Sequence, residues 1–237
     1  MEHNPLVAAW INGALRFLAG LAGIRVRGDV LPAHVIMAMI ATLALILFFR
    51  LAARNLSLFP APMQAMLESI YLFLRSLVDD MIGPEGRQFV PVLGTLGLFI
   101  ATANLLGLLP EMASPTANLN VPAGCAVFIF LYYNAQGVKK HGVLGYLKHF
   151  SGPKWWMAPI FFPIEIISQF SRPLSLTVRL FCNIFGEDLV IIIIVSLVPF
   201  VAPLPMMAMA IFTSLLQAYI FIMLSSVYLS GAIASEH

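Results

Sequence analysis

Long apolar stretches separated by short polar breaks run the length of this chain, and their spacing predicts its elements. From residue 5 to residue 23, Val7, Ile11, Ala14, Leu15 and Leu18 recur at helical spacing, with Asn12 and Arg16 off that stripe. This predicts an amphipathic helix in the membrane interface, with Pro5 suited to its first turn. Arg25, Arg27 and Asp29 make a polar break. Residues 33–49 are then apolar apart from His34 and Thr42, long enough to cross about 30 Å of hydrocarbon, and Arg50 and Arg54 close them. In residues 56–80, Met63, Leu67, Ile70, Leu74 and Leu77 stand against Gln64, Glu68 and Arg75. That pattern is an amphipathic helix, at the surface or against partner helices. Pro84-Glu85-Gly86-Arg87 reads as a turn.

Two further spans follow at 89–110, which carries Asn104, and at 121–138. The loop between them, 111–120, has no Lys or Arg, whereas Lys139, Lys140, His141, Lys148 and Lys154 make the next loop basic. The positive-inside rule places that basic loop and the Arg50/Arg54 end in the cytoplasm, and the 111–120 loop and N-terminus outside. Residues 157–198 would form a helix about 63 Å long at about 1.5 Å per residue. An upright span needs about 20 residues, so this stretch either breaks near Pro173 or lies strongly tilted. A proline-rich turn at 199–205 leads to residues 206–234, again too long for an upright span. The pattern predicts a long tilted hairpin.

Composition agrees. The 237 residues are 60% hydrophobic and 10% charged, with mean hydropathy +0.93; soluble domains carry about 25% charged residues. The expected fold is all-α: a polytopic membrane protein with about five transmembrane helices plus amphipathic interfacial helices. The expected division is an N-terminal interfacial segment, 1–30, and one membrane domain, 31–237. Strand-period alternation is absent, which argues against a barrel. A net charge of +2 gives no ground for a nucleic-acid partner. Cys125 and Cys182 both fall in apolar segments and read as small hydrophobes packed between helices, with no metal site and no disulfide framework. The N-terminus lacks the pattern of a secretory signal.

Against this background Arg179 stands out, in the middle of the most apolar third of the chain. A guanidinium in hydrocarbon costs about 2.5–3.5 kcal/mol even on the mildest insertion scale, and it cannot deprotonate. Such a residue must face a protein partner or a water-filled cavity, and it marks an ion or substrate pathway by default. Ser175, Arg179 and Asn183 are four residues apart and share a helix face. Arg172 lies near that face, with Glu165 two turns before it, and Glu187 and Asp188 follow Arg179 by two turns. On the last helix Ser214, Gln217, Ser225 and Tyr228 form a second polar stripe. Simpler roles exist for most of these. Asn183 and Gln217 suit interhelical hydrogen bonding, Glu165 a solvated acid near Lys154, the serines packing, and Tyr228 an interfacial anchor. Arg179 has no comparable simple role.

The run Ser171-Arg172-Pro173-Leu174-Ser175-Leu176-Thr177-Val178-Arg179-Leu180-Phe181-Cys182-Asn183 resembles the signature of subunit a of the F-type ATP synthase, the membrane stator of a rotary motor. Leu216-Gln217-Ala218-Tyr219-Ile220-Phe221 through Val227-Tyr228-Leu229-Ser230 is similar to that family's last helix. Gly107-Leu108-Leu109-Pro110 followed by Pro115-Thr116-Ala117-Asn118 resembles its early loop. The resemblance runs from about residue 30 to the end. It implies two aqueous half-channels meeting a rotating ring of c subunits, each with one mid-membrane carboxylate, and it makes Arg179 the arginine separating them. Glu165, Ser175, Asn183 and Gln217 match polar positions that line the channels or support the arginine, and Tyr228 matches a polar position late in the last helix. Two departures stand out. Glu187-Asp188 replaces a common Gly followed by Glu or His, and Ala210 occupies a position that is often titratable. The two adjacent carboxylates are therefore expected to share a relay role, as coupled groups can.

The resemblance further implies the c-ring, the subunit b stalk, the remaining synthase subunits and membrane lipid as partners, and no cofactor. The coupled ion is expected to be the proton. The chain is expected to do no bond chemistry itself: it has no Gly-rich phosphate loop, and its spans hold no His pair or Ser/His arrangement. A stand-alone secondary transporter is the alternative, although such proteins usually show internal repeats and none is visible. A bacterial plasma membrane is the expected location, with an organelle inner membrane as the alternative.

Overall fold

The computed structural model describes residues 5–21, 28–54, 62–109, 112–149, 158–198 and 203–233. Arg25, Arg27, Lys154 and residues 199–202 of the proline-rich turn lie outside them. Seven α-helices occur among the described residues: α1 (Leu6–Leu21), α2 (Ala33–Ala52), α3 (Pro62–Ile82), α4 (Val90–Leu106), α5 (Asn120–His149), α6 (Ala158–Leu197) and α7 (Pro203–Ile233). Two 3-10 turns, Pro84–Phe89 and Pro115–Ala117, precede α4 and α5, and no strand is present among these residues. Five helices, α2 and α4–α7, are long and apolar enough to cross a membrane. The chain is an all-α, polytopic membrane protein.

The helix interfaces follow from small and apolar side chains. Gly97 on α4 sits so close to α7 that an added Cβ would meet the Ile222 side chain. Small residues of this kind let transmembrane backbones approach, where packing rather than water expulsion drives association. Leu74, Val78, Val90, Leu93, Ile129, Tyr133, Leu180 and Phe221 belong to one core shared by α3–α7. The amphipathic α3 finds partners inside the chain for the later part of its apolar stripe: Ile70, Leu74 and Val78 join the shared core, and Phe73 stacks 6.4 Å from Tyr219, whereas Met63 is exposed and Gln64, expected on the polar face, is buried. α1 also docks on its neighbour. Asn12 exchanges two hydrogen bonds with the Leu31 backbone, at 2.9 and 3.0 Å, and Ala8 packs on Ile36 and Met37.

α6 runs unbroken for 40 residues through Pro163 and Pro173. Proline removes one helical hydrogen bond, but transmembrane helices tolerate it because neighbouring groups compensate. The carbonyl that Pro173 leaves without its helical donor is that of Gln169, four residues earlier; the Thr177 hydroxyl donates separately to the Pro173 carbonyl at 2.8 Å. At about 60 Å, α6 is about twice as long as an upright span of about 30 Å of hydrocarbon requires.

α5 does bend, at Gly142, whose φ of 73° is left-handed. Beyond it the chain turns back, so that the Tyr146 hydroxyl donates to Asn134 at 2.8 Å. The Tyr146 ring covers Gly137, where a side chain would collide with it. Burial pushes the Tyr146 phenol above its ordinary range, which keeps it a neutral donor. At the same end of the bundle Lys140 pairs with Glu85 at 3.1 Å.

Candidate functional site

The site is built on α6, and the first fact about that helix is how little covers it. Only 11% of its apolar window is buried by the rest of the chain, against 44% for the span containing α4. One stripe of α6 packs inward through Gln169, Leu176, Thr177, Leu180 and Ile184. The Ser175–Arg179–Asn183 row lies to one side of it, and all three residues are exposed. Arg179 makes no hydrogen bond or ion pair among the described residues. Cys182 is exposed on this same stretch, so only Cys125 is the packed hydrophobe that its apolar setting suggested. An apolar neighbourhood in sequence does not distinguish a buried face from one turned toward lipid or a partner.

Beyond Arg179, toward the end of α6, two hydrogen bonds tie the hairpin together. The Asn183 amide donates to the buried Gln217 of α7 at 2.8 Å. The Thr213 hydroxyl donates to Glu187 Oε2, also at 2.8 Å. Glu187 Oε1 is buried with no hydrogen-bond partner among the described residues. Asn183, Glu187, Thr213 and Gln217 line a crevice of about 280 Å³ between α6 and α7.

On the other side of Arg179 a second polar group gathers. The Tyr133 hydroxyl donates to Gln169 Oε1 at 2.8 Å, and Gln169 Nε2 donates to Glu165 at 3.2 Å. Arg172 lies 3.8 Å from the same Glu165 oxygen, and its guanidinium sits 5.3 Å from the centre of the Tyr228 ring. Glu165 and Tyr228, far apart in sequence, are thus joined through Arg172. Arg179 stands between the two polar groups, about 21 Å along the helix from Glu165 and about 12 Å from Glu187.

Glu187 and Asp188 are neighbours in sequence but have different surroundings. Successive helical residues point about 100° apart. Glu187 faces α7, whereas Asp188 lines a separate cavity of about 350 Å³ with Asp29, His34, Ser114 and Asn118. The loop forming one wall is pinned by polar contacts. The Ser114 and Thr116 hydroxyls are 2.6 Å apart, and Thr116 donates to Asn104 at 2.5 Å. Gly107 lets that loop lie against α4, since a Cβ there would come within 2.9 Å of the Ser114 backbone nitrogen.

Several of these residues were not among the sequence candidates. Gln169 and Thr213 could have been found, each four residues from a chosen one, Glu165 and Gln217. Tyr133, Asp29 and His34 carry no such signal, because the fold alone brings them to the site.

The match to known proteins covers the polar groups along α6 and α7. A family model described as ATP synthase A chain matches residues 35–230. ATP synthase subunit a 2 of Syntrophotalea carbinolica is 38% identical over 237 residues, the full length of both chains. Subunit a of Geobacter sulfurreducens is 44% identical over 187 residues, 79% of this chain and 81% of that one. Subunit a 1 of Pelobacter propionicus is 43% identical over 195 residues, covering 82% and 85%. With α6, most of α7 and the loop before α5 inside the matched range, the chain belongs to the ATP synthase A chain family.

Proposed function

We propose that this chain is the proton-conducting stator of an F-type ATP synthase, with Arg179 separating two aqueous half-channels that open on opposite sides of the membrane. The single observation that carries this reading is an exposed, permanently charged Arg179 with no counter-charge among the described residues. An unpaired cation in an apolar setting is costly, which favours a partner outside the described residues. A ring of c subunits, each with a mid-membrane carboxylate, supplies that partner and covers the bare face of α6. Arg179 favours the ionised carboxylate, so an arriving c subunit releases its proton there. Its positive charge also opposes a direct proton path between the polar groups on either side.

In this reading the Glu187–Thr213–Gln217 group belongs to one half-channel and the Glu165–Arg172–Tyr228 group to the other. Ser175 and Asn183 flank the arginine on the ring-facing side. By the positive-inside rule, Lys139 and Lys140 put the Glu165 end in the cytoplasm. Net transport then requires the ring to turn, and each charge moved through 100 mV supplies about 2.3 kcal/mol. Nucleotide chemistry takes place on other subunits, and subunit b and the rest of the complex hold this chain still. The membrane is the bacterial plasma membrane.

The test is proton flux in vesicles carrying the assembled complex, native against Arg179→Ala. Loss of ATP-driven pumping with assembly intact is expected, together with an added passive leak. Unchanged coupled pumping would remove Arg179 from the mechanism.

A further inference from the structure

The cavity beside Asp188 is not explained by the crevice between α6 and α7. It lies at the end of the bundle where α2 begins and the 112–119 loop enters α5. That end is opposite Lys139 and Lys140, because α5 spans the distance between them. At about 350 Å³ it has room for several waters, each of which takes about 30 Å³ of liquid. Its polar lining comes from four separate places: Asp29 in the segment before α2, His34 in the first turn of α2, Ser114 and Asn118 in the loop, and Asp188 on α6.

The charged groups around this cavity divide into satisfied and open ones. Asp29 is held by Arg16 of α1 at 2.6 Å, and the pair is neutral. Ser114 and Asn118 do not titrate. That leaves His34 and Asp188, both half-buried and neither making a hydrogen bond or ion pair among the described residues. The nearest further titratable group on α6 is Glu187, on the face turned to α7.

We infer that His34 is the proton-collecting group of this vestibule and that Asp188 receives protons from it. The assignment rests on the proton-conducting reading above. Imidazole is the one side chain whose ordinary pKa lets it both gain and lose a proton near neutral pH. His34 takes a proton from hydronium or a buffer acid at the mouth, and a water in the vestibule carries it to the Asp188 carboxylate. Asp188 and Glu187, adjacent in sequence and about 100° apart around the helix, then carry it from the vestibule face of α6 to the α7 face. The carboxylate doublet thus spans the thickness of one helix. His34 lies one residue before the range matched by the family model.

The experiment uses proteoliposomes with the assembled complex, its nucleotide head outside, so that the vestibule opens to the lumen. ATP synthesis is measured against lumen pH at constant total driving force, for the native chain, His34→Gln, His34→Ala and Arg179→Ala. The expected result is that native and His34→Gln rates agree at acid lumen pH and separate several-fold as lumen pH approaches neutral. Imidazole trapped in the lumen should restore the His34→Ala rate. A profile unchanged by His34→Gln, or a drop equal at every lumen pH and untouched by imidazole, would overturn the assignment. Failure of both His34 variants to co-purify with the ring would also overturn it, by giving His34 a structural role. If Arg179→Ala abolishes synthesis while His34→Gln does nothing, only the His34 assignment falls. If Arg179→Ala synthesises normally, the stator reading falls.

Discussion

Asn183 donates to Gln217 across the hairpin at 2.8 Å, one helical turn beyond Arg179. This bond fixes how α7 lies against the arginine's helix. Its two partners should therefore act as a unit. Asn183→Leu and Gln217→Leu are each expected to weaken ATP-driven pumping, with the double variant no worse than Gln217→Leu alone. A double-mutant cycle on resistance to denaturation should give a coupling of about 0.6 kcal/mol, the average for hydrogen bonds between membrane helices, and at most about 1.7 kcal/mol. Additive losses would mean that the two residues work separately.

Thr213 supplies the one hydrogen bond that Glu187 receives among the described residues. Thr213→Val keeps the shape and removes the hydroxyl, leaving both carboxyl oxygens without a partner. Proton flux through the complex should fall several-fold. Thr213→Ser should keep most of it. Equal loss in the two variants would trace the effect to packing rather than to the hydroxyl.

Arg172 rests on the Tyr228 ring and faces Glu165. The ring, not the phenol oxygen, supplies the attraction to the guanidinium. Tyr228→Phe should therefore leave complex stability and pumping close to native, while Tyr228→Leu costs about 0.5–1 kcal/mol. Thermal dissociation of the purified complex reads the difference. A Tyr228→Phe variant as impaired as Tyr228→Leu would assign the role to the hydroxyl.

Gly107 and Gly124 make a contrasting pair. A Cβ at Gly107 meets the Ser114 backbone, whereas nothing lies within 4 Å of one at Gly124. Gly107→Ala should destabilise by about 1–3 kcal/mol, as overpacking does, and disturb the wall of the Asp188 cavity. Gly124→Ala, in the interior of α5, should be neutral or slightly stabilising. Denaturant resistance of the two variants checks this, and equal effects would refute it.

Much of the fold was legible because membrane spans are written in length and apolarity. α2, α4, α6 and α7 lie close to where the apolar runs placed them, and the excess length of α6 is written in the run itself. The sequence left open whether Pro173 breaks that helix. The structure answers it: α6 continues through the proline. The bend at Gly142 was hidden among polar residues that read simply as a basic loop. Arg179, Asn183 and Gln217 could be chosen from a helical period alone. The separation of Glu187 from Asp188 needed the positions of α7 and α2, since periodicity says that two neighbours diverge but not what each one meets. His34 is far from Asp188 along the chain, and nothing local hints that they share a cavity.

In the proposed mechanism the grip of Arg179 on a ring carboxylate has an upper limit. Two charges about 4 Å apart attract by about 4 kcal/mol at the effective dielectric of a protein surface, and by about 1 kcal/mol in water. The step that must separate them is driven by about 2.3 kcal/mol per charge at 100 mV. In the proposed mechanism the full surface value already exceeds what one step supplies, and at that value Arg179 would act as a brake. Coupled turning in that mechanism therefore requires water to stay within reach of the guanidinium even with the ring in place, so that the attraction falls toward the lower value.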